Sequence, residues 1–288
     1  MAPAAERGRG KAVTVKKQAE LEQFISDAIE RRRLVDLSRI AESDELPKDF
    51  KRTKTFDQIV EAIRLGRRIE ASLVLIHGVN GGGKTTALKA IAKVAPSTLY
   101  WEVPSGMQPK HLLRDILAQL PVQTGEGWRL QTSVAIDYLS EHPQTFMLDE
   151  AQRLDYSCLD LLKYMADNSG SMLVLAASPS LARRIEKWPD IASRCPVRLK
   201  IEPISLEEFV ELYQTEGWSL DVLKEIHRIS GGVMRVARSL FLVLDDYLTE
   251  AREAGQRDIT RAVFRPHHVA VIAKGVVPAS ASGELARK

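Results

Sequence analysis

The chain has 288 residues, 44% hydrophobic and 27% charged, with a formal net charge of +3. That length implies one or two domains with a sizeable core, and the composition is ordinary for a globular protein in water. No apolar run approaches the ~20 residues of a membrane helix, and the first residues lack the apolar stretch of a signal peptide. A cytoplasmic protein is therefore expected. The charge balance does not establish nucleic-acid binding, but it permits local basic patches. Cys158 and Cys195 are the only cysteines; without metal-ligand spacing, and in a reducing compartment, they read as buried or incidental thiols.

Residues 1–17 carry Arg7, Arg9, Lys11, Lys16 and Lys17 against the single acid Glu6, a basic arm that is either solvated or in contact with nucleic acid. Leu21, Phe24, Ile25, Ile29, Leu34 and Leu37 then recur at helical spacing, and acids with Pro47 break the pattern before residue 50. A second helix begins near Thr55, the expected cap, with Phe56, Ile59, Val60 and Ile63 as its apolar face and an end around Gly66. Lys51, Arg52, Lys54, Arg64, Arg67 and Arg68 make this region basic, most simply as a solvated helix face.

The apolar run from Ser72 to His77 reads as a buried strand. It leads into Gly78-Val79-Asn80-Gly81-Gly82-Gly83-Lys84-Thr85, followed by Thr86 and a helical pattern of Ala, Leu and Lys. This is G-x-x-x-x-G-K-[ST], the phosphate-binding loop. The glycines allow a tight turn and close approach to phosphate, and the loop N–H groups with the next helix N-terminus form an anion site. Lys84 suits the β- and γ-phosphates of a nucleotide, and the Thr85 hydroxyl suits Mg²⁺.

Ser97 to Val103 reads as a second strand; Lys110 to Leu120 and Trp128 to Leu139 read as helices. Pro143 to Glu150 is an apolar strand ending in Asp149 and Glu150. Beside a phosphate loop, the strand-end Asp holds the metal and the next acid orients the attacking water as a general base. Helix is expected from Leu159 to Met165 and strand from Ser171 to Ala177. Ser178 follows, where a polar side chain can sense the γ-phosphate. A helix from Ala182 to Trp188, the Asp190 to Arg194 stretch and a fifth strand from Val197 to Ile201 complete an alternation of strand and helix. That alternation specifies a parallel sheet covered on both faces. After Pro203, helical stretches at Leu206–Tyr213, Leu220–Ile229 and Val233–Ala251 form a small helical domain, and from Ile272 the chain reads as a loose tail.

The order of phosphate loop, Asp149-Glu150-Ala151-Gln152, Ser178, Ser193-Arg194 and Gly232-Val233-Met234-Arg235 resembles that of the AAA+ ATPases, and within them the transposition regulators of the MuB, TnsC and TniB type, over Phe50 to Val271. The resemblance implies a P-loop AAA+ three-layer αβα core over residues 50–202, a helical lid over 203–271, an arm and helical extension over 1–49 and a tail over 272–288. It implies ATP and Mg²⁺ as cofactors and hydrolysis of ATP. Arg194 would be the finger that reaches a neighbouring subunit's γ-phosphate, with Arg198 its competitor, and Arg235 the lid arginine on the subunit's own nucleotide. It implies self-assembly into rings or filaments on duplex DNA and recruitment of a DDE transposase. Lys110, and less directly Arg114 and Arg129, are the DNA-facing candidates; no membrane partner is expected. Ser178 stands where several relatives carry Asn, and no helix-turn-helix precedes the core. Two other AAA+ roles share these parts: a replication initiator or loader, whose lid usually precedes a winged helix that this chain has no residues to build, and an ExeA-type secretion ATPase, which usually carries a membrane anchor. A small-molecule kinase would not need Glu150, Arg194 and Arg235 in this arrangement.

Overall fold

The computed structural model describes Leu46 and residues 50–95, 97–256 and 258–276. The basic arm and the helix expected before residue 41 lie outside the described residues, as does the tail beyond residue 276.

Five strands form one sheet in the order β2-β3-β4-β1-β5, every neighbouring pair parallel. They are β1 Leu73–Gly78, β2 Thr98–Glu102, β3 Thr145–Asp149, β4 Met172–Ala177 and β5 Val197–Ile201. Side chains alternate across a strand, and this alternation builds two cores. Leu73, Leu75, Leu173, Leu175 and Leu148 face one side, while Val74, Ile76, Val174, Ala176 and Met147 face the other. The first side is covered by α3 Pro109–Leu117, α4 Trp128–Glu141, α5 Tyr156–Ser169, α6 Pro179–Ile185 and α7 Pro189–Ser193. The second is covered by α1 Lys54–Arg68 and α2 Lys84–Val94. The result is a three-layer αβα core, with the loop after β1 at the carboxyl edge of the sheet, where such sheets bind ligands.

A third core is all helical. It joins α8 Leu206–Tyr213, α9 Leu220–Ser230, α10 Met234–Glu253 and α11 Pro266–Val276 around Phe209, Ile226, Leu240 and Leu244. Phe241 stacks on Tyr213 with ring centroids 4.5 Å apart. Among the described residues no helix is long and apolar enough to cross a membrane.

The structure moves several boundaries. The cap of α1 is Thr53, whose Oγ1 accepts from Phe56 N at 3.2 Å, so Thr55 lies inside the helix, which runs on to Arg68. Helix α5 starts at Tyr156 because Asp155 caps it, accepting from Cys158 N at 2.8 Å. The helix expected from Ala182 to Trp188 is displaced: α6 is started by Pro179 and ends at Ile185, and α7, started by Pro189, takes up much of the Asp190 to Arg194 stretch; proline presets the first helical turn and cannot continue a preceding one. Residues 272–276, expected as the start of a loose tail, belong to α11, which carries Val269 and Ala273 at i, i+4 into the lid core. Nor is the basic region around α1 simply a solvated face: the Arg67 guanidinium donates to Thr145 Oγ1, and burial pulls its pKa down to about 10. Both thiols are buried; burial pushes Cys158 up to about 12 and Cys195 up to about 11.

Helix α1 meets the sheet through Gly66, where a Cβ would stand 2.4 Å from Val74 Cγ2 and 3.2 Å from Met172 Sδ. Val74 is β-branched and fully buried, so it yields little. Gly66→Ala, which in an open helix stabilises by about 1 kcal/mol, is expected here to destabilise by about 1–3 kcal/mol through overpacking. Urea unfolding checks this: a midpoint equal to or above that of the parent would refute the close contact.

Candidate functional site

The phosphate loop closes between two bodies. Its own strand and helix hold it from the core side: Gly83 caps α2 in the left-handed region at φ 93°, and no acid sits in the first turn of α2. The N-terminal N–H groups of that helix are thus uncompensated by a local carboxylate and favour an anion. From the lid side, Arg235 N donates to Gly81 O at 3.4 Å. Gly81 has φ 81°, and a Cβ there would lie 2.7 Å from Arg235 Cβ. Only glycine lets the first turn of α10 rest on the loop this closely.

The Lys84 side chain is buried within this loop and donates to Gly78 O at 3.0 Å and Val79 O at 2.9 Å. Burial lowers its pKa, Asp149 and Glu150 oppose that shift, and Arg235 adds to it. The ammonium therefore sits among charges of both signs, close enough to feel each. Gly82 N closes the loop on Val79 O at 3.3 Å.

The acids end β3 next to the loop because β3 lies one strand away from β1, across β4. Asp149 is almost fully buried. Its Oδ1 accepts from Glu150 N at 2.9 Å and its Oδ2 from the Tyr100 hydroxyl at 3.0 Å. Burial, then the Asp149 charge and hydrogen bond, raise the Tyr100 pKa, so the phenol stays a donor. Glu150 leaves the strand in the left-handed region at φ 55°, which costs a non-glycine residue about 1–3 kcal/mol and recurs at functional sites. Its Oε2 accepts from Gln152 Nε2 at 2.5 Å and lies 3.6 Å from Arg153 Nη2.

These groups line one cleft of about 690 Å³, shared by Asn80, Gly81, Gly83, Lys84, Thr85 and Thr86 of the loop, by Asp149, Glu150 and Ser178 of the sheet edge, and by Arg235 of the lid. The structure thus brings together the loop, acid, sensor and lid residues picked out in the sequence. Ser178 Oγ pairs with Ser180 Oγ at 2.7 Å, and its backbone N donates to Gln152 Oε1 at 3.1 Å. An adenine nucleotide fits this donor set: a buried ammonium and an uncompensated helix N-terminus for phosphate, with a hydroxyl and a buried carboxylate for Mg²⁺.

Arg194 is not in this cleft. Its backbone O accepts from Leu73 N at 3.0 Å, which places it at the start of β1, about 20 Å of strand from the loop. Its guanidinium pairs with Asp167 Oδ2 at 2.9 Å. Arg198 donates to Cys195 O and Ala192 O at 3.2 and 3.4 Å. Lys110, Arg114 and Arg129 are exposed on α3 and α4, with Arg114 3.8 Å from Asp115.

Sequence reasoning missed other cleft residues. Arg238 lines it one turn beyond Arg235, and that i, i+3 spacing on a helix was the available signal. Phe50, Lys51 and Tyr213 also line it. Lys51 donates to Leu212 O at 2.7 Å and to Glu216, over the Tyr213 ring, and Lys54 N donates to Glu208 Oε1 at 2.6 Å. No local pattern announces these contacts.

Residues 67–185 match the family model of an AAA domain. Comparison with curated proteins gives no match. Among solved structures, the Aeropyrum pernix ORC1 protein in complex with DNA is similar at TM-score 0.54 and 18% identity, covering 88% of this chain and 70% of that one. The A. pernix ORC2 protein, in ADPNP-ADP complexes, is similar at TM-score 0.56 and 18% identity, covering 85% and 73%. Cdc6p from Pyrobaculum aerophilum is similar at TM-score 0.53 and 14% identity, covering 76% and 68%. At such identities the likeness concerns the fold. The fold is therefore a P-loop AAA+ α/β core with a helical C-terminal region, within which residues 67–185 are similar to an AAA domain.

Proposed function

We propose that this chain is an ATP-hydrolysing switch that assembles on duplex DNA and loads a partner there. The observation that carries the ATPase part is the single cleft joining Lys84, Asp149, Glu150, Ser178 and Arg235. The loop N–H groups and the α2 N-terminus hold the phosphates. Lys84 exchanges its carbonyl partners for β- and γ-phosphate oxygens. Thr85 and Asp149 would hold Mg²⁺, which would neutralise phosphate charge there. Glu150 takes a proton from the water that attacks the γ-phosphorus, giving ADP and phosphate. Arg235 and Arg238 present lid charge to the same nucleotide, so the lid position follows the γ-phosphate.

The DNA part rests on likeness. The ORC1 structure of similar fold is a complex with DNA, and that set of neighbours favours an initiator or loader of replication. A second reading, a transposition regulator that recruits a DDE transposase, is supported by the Asp149 to Gln152 run and the glycine-x-x-arginine of the lid. In either case Arg194, far from its own phosphate loop, serves a neighbouring subunit's nucleotide, and Lys110, Arg114 and Arg129 form the DNA-facing set, neutralising backbone phosphate without reading sequence.

Three outcomes test this. Lys84→Ala is expected to abolish ATP binding in calorimetry, because a buried phosphate charge loses its partner; normal affinity would remove the loop assignment. Glu150→Gln is expected to bind ATP but to turn it over about 100-fold more slowly or worse; near-normal hydrolysis would place the base elsewhere. Electron microscopy with duplex DNA is expected to show rings or filaments with ATP or a slowly hydrolysed analogue and none without nucleotide. A monomer that ignores DNA in all three conditions would leave an ATPase acting on a protein or small molecule.

A further inference from the structure

Gln152 sits two residues past the general-base candidate and has no role in the reading above. Its side-chain amide uses both ends. Nε2 donates to Glu150 Oε2 at 2.5 Å, and Oε1 accepts from Ser178 N at 3.1 Å. Its backbone is fixed as well: Gln152 O accepts from Arg184 Nη2 at 2.7 Å, and the short 3₁₀ turn Ala151–Arg153 holds Leu154 N on Ala151 O. One amide therefore joins the carboxylate after β3 to the first residue past β4, the position read as the γ-phosphate sensor.

A glutamate side chain on a left-handed turn has three torsions to fix, and that of Glu150 is about one third exposed. A carboxylate that must accept a proton from one water needs selection to a fraction of an ångström. Arg153 does not supply it. Its Nη2 stands 3.6 Å from Oε2, beyond hydrogen-bond range, and its Nη1 donates to Val103 O at 2.6 Å. Among the described residues both groups near this carboxylate meet Oε2, which leaves Oε1 as the oxygen that accepts the proton.

We infer that Gln152 is a positioning residue: it orients Glu150 for proton abstraction and ties that orientation to the Ser178 end of β4. The inference rests on the ATPase reading. The link makes the base respond to the sensor. A shift of the Ser178 backbone toward or away from the γ-phosphate pulls the amide, and the amide carries the carboxylate with it. A residue acting only to stabilise the turn would move folding and nucleotide affinity instead.

Two near-isosteric changes separate these roles. Gln152→Met keeps the length and removes both hydrogen bonds. It is expected to lower kcat about 10-fold to 100-fold, as displacement of a catalytic group by ~1 Å does, while the affinity for a fluorescent ATP analogue stays near that of the parent. Gln152→Glu keeps the shape and places a second carboxylate beside Glu150. It is expected to lower kcat at least as far as Gln152→Met does, again with nucleotide affinity near that of the parent, because like charges push the Glu150 carboxylate out of place. A kcat unchanged in both variants, or a loss of kcat that only follows a loss of nucleotide affinity, would overturn the inference and leave the ATPase reading standing. A parent protein that turns over no ATP would remove the ATPase reading and this inference together.

Discussion

The contact between Gly81 and Arg235 is the constraint on which the site depends. The phosphate loop belongs to the core and the first turn of α10 belongs to the lid, and they touch through a hydrogen bond of 3.4 Å made possible by a missing Cβ. Everything polar in the cleft lies around that contact. Lys84, Arg235 and Arg238 line the same cleft, together with Asp149 and Glu150 from the end of β3, across β4. A bulkier loop would separate core from lid and leave each half with incomplete chemistry.

The sheet order explains why the parts meet. In β2-β3-β4-β1-β5 the strand of the phosphate loop is interior, and the two strands ending in chemistry run in the same direction as it, β4 directly beside it and β3 across β4. Their carboxyl ends share one edge, so Asp149, Ser178 and the loop converge without any long side chain having to span the distance. By the same geometry a residue preceding a strand, such as Arg194 before β5, falls on the opposite edge. Asp149 and Ser178 thus lie in the cleft with Arg235 and Arg238, and Arg194 lies outside it.

Most of this was legible in the sequence, for physical reasons. The loop has fixed-length glycine chemistry, the inner strands β1, β3 and β4 are largely apolar runs that end up buried, and acids at a strand end are local signals. The boundaries that shifted involve caps and prolines a few residues from the expected point: Thr53 rather than Thr55, and Pro179 and Pro189 as separate starts. What remained hidden lies in contacts between distant positions. Lys51 and Leu212 are 161 residues apart, and Gln152 and Ser178 are 26 apart. Neither leaves a periodic trace, because each concerns one side chain meeting one backbone group. The last helix was missed because its inward face is little more than Val269 and Ala273.

The bonds from Lys51 and Lys54 to α8 and its following turn carry a mechanical consequence. The lid is joined to the core covalently through the chain after β5, and again through this strap before α1. A body held at one point can turn in any direction, whereas a body held at two turns about the line between them. Such a second attachment favours rotation of the lid about that line over other rotations. The Gly81–Arg235 contact shares the cleft with the strap, and nucleotide at that contact would act on such a swing as a latch acts on a door.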